Sequence, residues 1–506
     1  MELQTTMRRI GLTQTIFDDF DERPVDCDFM LPDFLPDIAA VLKCTMRPVV
    51  QSHQISGDRV MADGTVYLHV LYLDEDRKCI RSFETSQPFT SAFTVKDLSN
   101  SDTVVLSAKT NYVNCRATSP RRMDIHGAFS VKLIVESQTD TEVMEAASAD
   151  DLYTKGCSVM CTVPGGRAEK TFTLNEVLEL DTAAPAEMII RSEAHICISD
   201  CKQLPGKAVV KGDLLLKTVY TTDTVAGTLC HAKHNIPFSQ ILDVDGLTED
   251  MLCEAGAEIV SCDVRLAQNP GGESRLLSVS IKSALSMRCF ANEHCELLTD
   301  AFHTTYPLKL TTQRITPSCI IDLSRDIETV QQSVVLPDGG IAEILDVWSE
   351  VTTVVCNDGT WEGQLLVQLL ACDANGVVSY YERPLDITVP LTGACDQTAV
   401  SAVVLDTDYT LAGDRLELRI KLLVYRRTST AESHLAITGL QADESAPYPC
   451  TEGMENCQVK VCFADAGDSL WEIAKAEHAS PTALMKENDL SEEILTDRTM
   501  LLIPLC

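Results

Sequence analysis

The sequence predicts a mainly β protein: three antiparallel, sandwich-like repeats of about 150 residues each, followed by a small β-α-α-β module. Three observations carry this reading. Apolar and polar residues alternate along many short stretches, which is the period of a half-buried strand. One order of features recurs three times along the chain. The C-terminal stretch then changes to helical spacing.

Each repeat opens on a proline turn and a short apolar stretch: Pro36-Asp37-Ile38 to Leu42, Pro185 to Ile190, and Pro337-Asp338 to Leu345. Within the first, Asp37 to Leu42 is read as a helical turn or two. A glycine then begins an alternating strand, Gly64 to Val70, Gly212 to Leu216 and Gly363 to Leu369. A proline step closes the pattern at Gln87-Pro88-Phe89, Ile236-Pro237-Phe238 and Val389-Pro390-Leu391. Proline to glycine is 28, 27 and 26 residues, and glycine to the second proline is 24, 25 and 27. Three concordant spacings make this an internal repeat. Further alternating strands follow at Met123 to Leu133, Leu277 to Ile281 and Leu416 to Leu422. Ser56-Gly57-Asp58, Pro270-Gly271-Gly272 and Ala412-Gly413-Asp414 supply turns. The polar segments 141–154 and 433–457 are read as links. The resulting division is 1–140, 155–295 and 296–432 for the repeats, 433–457 for a linker and 458–506 for the terminal module.

Composition narrows the function. With 75 acidic and 41 basic residues the formal charge is −34, which repels nucleic acid and anionic membranes. Hydrophobic content of 45% suffices for packed cores, and 5% aromatics argues against a platform for stacking bases. No apolar run reaches the ~18 residues of a membrane span, and Arg8 and Arg9 precede no signal-like apolar stretch, so a cytoplasmic protein is expected. The 21 cysteines are scattered. Even the closest pairs, Cys157/Cys161 and Cys197/Cys201, lack the tighter spacing of zinc ligands, so free thiols and no metal are expected. The chain has no P-loop, GxSxG elbow, HExxH or dinucleotide glycine fingerprint. His53, His69, His126, His195, His231, His234, His294 and His303 form no triad pattern. No enzyme and no cofactor are expected.

In the terminal module, Val459 and Val461 alternate in a short strand. Ser469 with Glu472 reads as a capping box, with Leu470, Ile473 and Ala474 on one helical face. Ser480-Pro481 starts a second helix, and Met500 to Pro504 closes as a strand.

This stretch resembles the LysM domain, through "GDSLWEIAK" at Gly467 to Lys475, "LMKENDL" at Leu484 to Leu490 and the ending "LLIP". It departs in having Thr496-Asp497-Arg498-Thr499 where that family has a Pro-Gly turn. The resemblance implies a shallow groove of Gly467, Asp468, Ser469 and Leu470 facing Asn488, Asp489, Leu490 and Ile494. Each position also has a structural reading: Gly467 as a turn glycine, Leu470 as core, Asn488 as a helix cap. The repeat resembles the SPOCS domain, through "LPDFLPDIAAVL" at Leu31 to Leu42, "RPVV" at Arg47 to Val50 and "GTVYLHVLYLDED" at Gly64 to Asp76. Three such units and one LysM domain are similar to the SipL-type spore coat morphogenetic proteins of clostridia. That resemblance implies docking of the LysM domain on the coat-basement ATPase at the forespore surface, inside the mother cell, with the repeats linking further coat proteins. The alternative is a glycan reader of cortex or cell wall. The module's net charge of −5 disfavours an anionic wall. Titration under denaturing, non-reducing conditions is expected to recover nearly all 21 thiols; recovery of a few would undo the reducing compartment.

Overall fold

The computed structural model describes residues 3–76, 79–99, 101–224, 227–336, 341–357, 359–391, 397–413, 415–448 and 459–504. Unit 1 contains β1 (Gln4–Met30), β2 (Ile38–Ser56), β3 (Arg59–Asp74), β4 (Ile80–Thr94), β5 (Thr103–Ser119) and β6 (Arg122–Ser148). Unit 2 repeats the series as β7 (Leu152–Glu179), β8 (Met188–Leu204), β9 (Lys207–Asp223), β10 (Thr228–Asp243), β11 (Leu252–Ala267) and β12 (Leu276–His303). Unit 3 comprises β13 (Leu308–Ile315), β14 (Ser318–Val335), β15 (Ile341–Asn357), β16 (Thr360–Asp373), β17 (Val378–Pro390), β18 (Gln397–Ala412), β19 (Arg415–Ala431) and β20 (His434–Ala442). The tail is β21 (Val459–Ala464), α1 (Leu470–Ala476), α2 (Pro481–Glu487) and β22 (Thr499–Pro504). The mainly β class and the antiparallel pairing are as the alternation predicted.

Every unit is a sandwich of two three-stranded sheets. In unit 1 the orders are β1-β6-β5 and β2-β3-β4, in unit 2 β7-β12-β11 and β8-β9-β10, in unit 3 β14-β19-β18 and β15-β16-β17. Alternation supplies the core: Val66, Leu68 and Val70 of β3 meet Ile125, Phe129, Val131 and Leu133 of β6. The repeat glycine is fixed by sterics. A Cβ at Gly64 would lie 2.3 Å from the Val49 carbonyl and 2.4 Å from the Phe89 ring, and Gly212 has the same relation to Cys197 and Phe238.

Four expectations need correction. Ile38 to Leu42 is strand β2, bulged against β3, because its side chains pack against the sheet rather than along a helical stripe. Polar-looking 141–148 is the end of β6, with Val143 and Met144 buried, and the turn lies at 149–151. The proline step does not recur in register. Phe89 and Phe238 pair with Gly64 and Gly212, but Gly363 pairs with Ile387, and Pro390 pairs with Thr360 at the strand end. Trp361 approaches Gly363 where the other units place a phenylalanine. Pro337 lies outside the described residues. Within 433–457, His434–Ala442 is β20 and 449–457 lie outside the described residues.

Equivalent positions of the units converge. Leu71, Val219 and Leu370 occupy the same place in β3, β9 and β16, opposite Lys43, Arg191 and Asp346. They meet in one apolar cluster with Ile80, Leu229 and Val378, and with Leu42, Ile190 and Leu345. Such convergence requires a pseudo-threefold axis. Beyond the sandwiches, β1 with β6, β7 with β12 and β13 with β20 continue as two-stranded arms. The arms pack on one another through Ile10, Val143, Val159, Cys295, Leu297, Ile315 and Ala436.

Charges differ among the three unit contacts. Between units 1 and 3, Lys43 pairs with Glu382. Between units 2 and 3, buried Asp346 accepts from Arg191 Nη2 (2.7 Å) and Lys217 Nζ (3.0 Å), with His231 Nε2 at 3.3 Å. Burial resists the Asp346 charge, but Arg191, His231 and Lys217 outweigh it and hold the carboxyl below its ordinary range. Burial likewise opposes Glu193, and His195 with Arg191 draw it down to about 2. Between units 1 and 2, His69 Nε2–H donates to the Ile190 carbonyl (3.1 Å), and burial lowers the imidazole from 6.5 to about 4.

The His69 shift fixes a pH dependence. The unfolded chain takes up a proton near 6.5 that folded His69 refuses until about 4, so its contribution is complete above 6.5 and lost as pH falls through that window. Full loss is about 3 kcal/mol. His69→Gln, the residue unit 3 carries at the equivalent Gln368, is expected to flatten the decline in urea midpoint between pH 7 and pH 4.5. An unchanged decline would place its cause elsewhere.

Candidate docking site

The tail is built from its own sequence signals. Ser480 caps α2, its Oγ accepting from the Ala483 amide at 3.2 Å, with Pro481 in the first turn. The capping box at α1 does not form. Ser469 occupies the cap position without a side-chain cap bond, because it bridges Ile494 and its Oγ turns toward Glu493. Leu470, Trp471, Ala474, Leu484, Leu501 and Ile503 form the tail's core.

The expected groove residues separate by role. Gly467 has φ +97°, and its amide donates to Leu495 O at 2.7 Å. Leu495 N donates to Asp468 O (3.0 Å) and Leu470 N to Glu493 O (2.8 Å), so the loop before α1 is zipped to the segment after α2. Leu470 is core. Asn488 is a latch, its Nδ2 donating to Leu484 O and Leu502 O and its Oδ1 accepting from Leu502 N. Leu490 is half-buried against the core, and Asp489 is exposed at φ +52°. Ile494, 60% exposed, stands beside Ser469 at the zipped edge. The structure therefore brings Gly467, Asp468, Ser469 and Ile494 together, and assigns Leu470 and Asn488 to holding the fold.

Sequence reasoning missed a second surface of the tail. Trp471 Nε1–H donates to Asp300 Oδ2 (2.8 Å), and Lys475 pairs with the same carboxylate (2.8 Å). The indole packs edge-on to Phe302, which stacks on Tyr153, while Lys155 pairs with Glu493. Tyr448 stacks on His478, whose imidazole burial lowers. The tail is thus seated on the end of the unit 2 arm. Asp300 lies 171 residues from Trp471, beyond any local pattern.

Elsewhere, a cavity of about 380 Å³ opens between units 2 and 3, lined by Leu215, Val347, Trp348 and Leu405. Its Glu193–His195 and Lys233–Asp406 pairs are internal. Among the described residues no cluster has a metal-binding arrangement, and no helix is long and apolar enough to cross a membrane.

Residues 37–118 and 185–267 match the family model described as SipL, SPOCS domain. Two segments of the chain are thus similar to the SPOCS domain. They correspond to β2–β5 and β8–β11. Unit 3 repeats their strand order outside the match. This match supports a role related to sporulation and the spore coat. No curated protein and no solved structure matches the chain.

Asp300→Ala removes the acceptor shared by Trp471 and Lys475. Tryptophan emission is expected to shift to the red and α1 amides to exchange faster, with the sandwiches unaffected. Unchanged exchange in α1 would mean that aromatic packing alone seats the tail.

Proposed function

We propose that the protein is a non-enzymatic coat-assembly scaffold that docks through its tail onto the coat-basement ATPase at the forespore surface, in the mother-cell cytoplasm, while the three β units link further coat proteins. The SPOCS match carries the coat assignment. The LysM-like order β21-α1-α2-β22 and the exposed edge around Ile494 support docking through the tail. Exposed Ile494 bridges Ser469, with Asp468 and Glu493 at the same zipped edge, an apolar side chain with a polar rim as in a specific interface. One small module buries limited area, and a polymeric partner raises its effective affinity by avidity.

The structure selects the test residue. Leu490 packs on the tail's core, so Leu490→Glu is expected to unfold the module. Ile494→Glu changes an exposed side chain and is expected to abolish forespore recruitment while tail helicity persists. Normal recruitment of the folded variant, or binding of the wild-type protein to peptidoglycan and not to the ATPase, would reject docking through this edge.

A further inference from the structure

The opening motif of unit 1, Leu31-Pro-Asp-Phe-Leu-Pro-Asp37, has no part in the tail's proposed contact. It is held by one side chain. Arg121 Nη1 donates to Asp37 Oδ1 (2.7 Å) and Leu35 O (3.3 Å), and Nη2 donates to Pro32 O (2.8 Å) and Leu31 O (3.4 Å). Tyr72 adds a hydrogen bond to Pro36 O at 3.2 Å. This clamped loop projects Phe34 with 84% of its surface exposed, beside Met30 at 69%. Both residues turn away from the apolar core that the sandwich could offer.

Unit 2 is an internal control. Leu180 N donates to Arg275 O as Leu31 N does to Arg121 O, and Arg275 clamps the carbonyls of Thr182 and Ala183. The corresponding connection, Asp181-Thr-Ala-Ala-Pro185, has no aromatic or long aliphatic side chain, and Glu179 stands where unit 1 has Met30. The clamp therefore serves the fold in both units, whereas the fold has no need of Phe34. A loop already clamped loses little backbone entropy on binding, and aromatic side chains such as Phe are enriched at interfaces.

We infer that Phe34 is the anchor of a second interaction surface, through which unit 1 engages another protein that offers an apolar pocket rimmed by basic groups. Charge selects this occupant. Asp33 is fully exposed next to Phe34, and at this end of the sandwich three carboxylates, Asp28, Asp33 and Asp37, share two guanidinium groups, Arg121 and Arg122, which leaves an acidic excess. A chain of net charge −34 makes a second copy a poor partner for that rim.

The test places photoreactive benzoylphenylalanine at position 34 of the full chain and, in parallel, at Ala183. Each protein is irradiated in extract from sporulating cells, a source chosen on the coat assignment. The expected result is a discrete adduct from position 34 alone, whose cross-linked peptide lies in an apolar pocket flanked by lysine or arginine. That partner, purified, is expected to bind the full chain about thirtyfold more tightly than Phe34→Ala, and less tightly as salt rises. Ile494→Glu should leave this binding intact, which separates it from docking through the tail. No adduct, equal adducts from both positions, an adduct to a second copy of the chain, binding by Phe34→Ala within about twofold of the parent protein, or loss of binding in Ile494→Glu would each overturn the inference.

Discussion

Closure of three sandwiches around one apolar axis is the constraint on which the rest of the architecture depends. Leu71, Val219 and Leu370 sit on the outer faces of central strands whose inner faces already fill the sandwich cores. These strand ends are therefore buried on both sides. A strand in that position tolerates neither a slip of register nor a polar outer face, because one residue of slip exchanges its two sets of side chains. Fixing the axis also fixes the arms, since β1, β6, β7 and β12 run without a chain break from sandwich to arm.

The contacts around the axis are unequal although the positions are equivalent. Lys43, Arg191 and Asp346 are counterparts, yet Lys43 pairs with Glu382 whereas Arg191 pairs with Asp346 itself. His69, Lys217 and Gln368 are likewise counterparts with three different polar roles. Unequal pairs give each interface its own complement, so the units cannot exchange places without leaving a buried charge unpaired. The SPOCS match covers segments of units 1 and 2, and unit 3 diverges from both in sequence. Unit 3 keeps the strand order while replacing the paired phenylalanine with Ile387 and moving its proline to the strand end.

The tail belongs to this body rather than hanging from it. Asp300, Phe302 and Lys155 of the unit 2 arm hold one side of the module. That seating covers Trp471 and leaves the edge at Ile494 in solvent. Orientation, more than the module's own fold, decides which of its residues a partner can reach.

By itself the sequence determined the alternating strands, the repeat glycine, the β-α-α-β order of the tail and the Ser480 cap. Each of these depends on side chains within a few residues, or on a period that a strand or helix imposes locally. It also contained an unread signal: Val70-Leu-Tyr-Leu73 breaks alternation because both faces of β3 are buried there. Only the tertiary structure decided that 141–148 is arm rather than link, that Ile38 to Leu42 is strand, that Leu470 and Asn488 serve the fold, and that Asp300 seats the tail. Each of those outcomes rests on neighbours supplied by distant parts of the chain, which leave no spacing to read. A polar residue at a strand end and a polar residue in a link look alike until the opposing arm is in place.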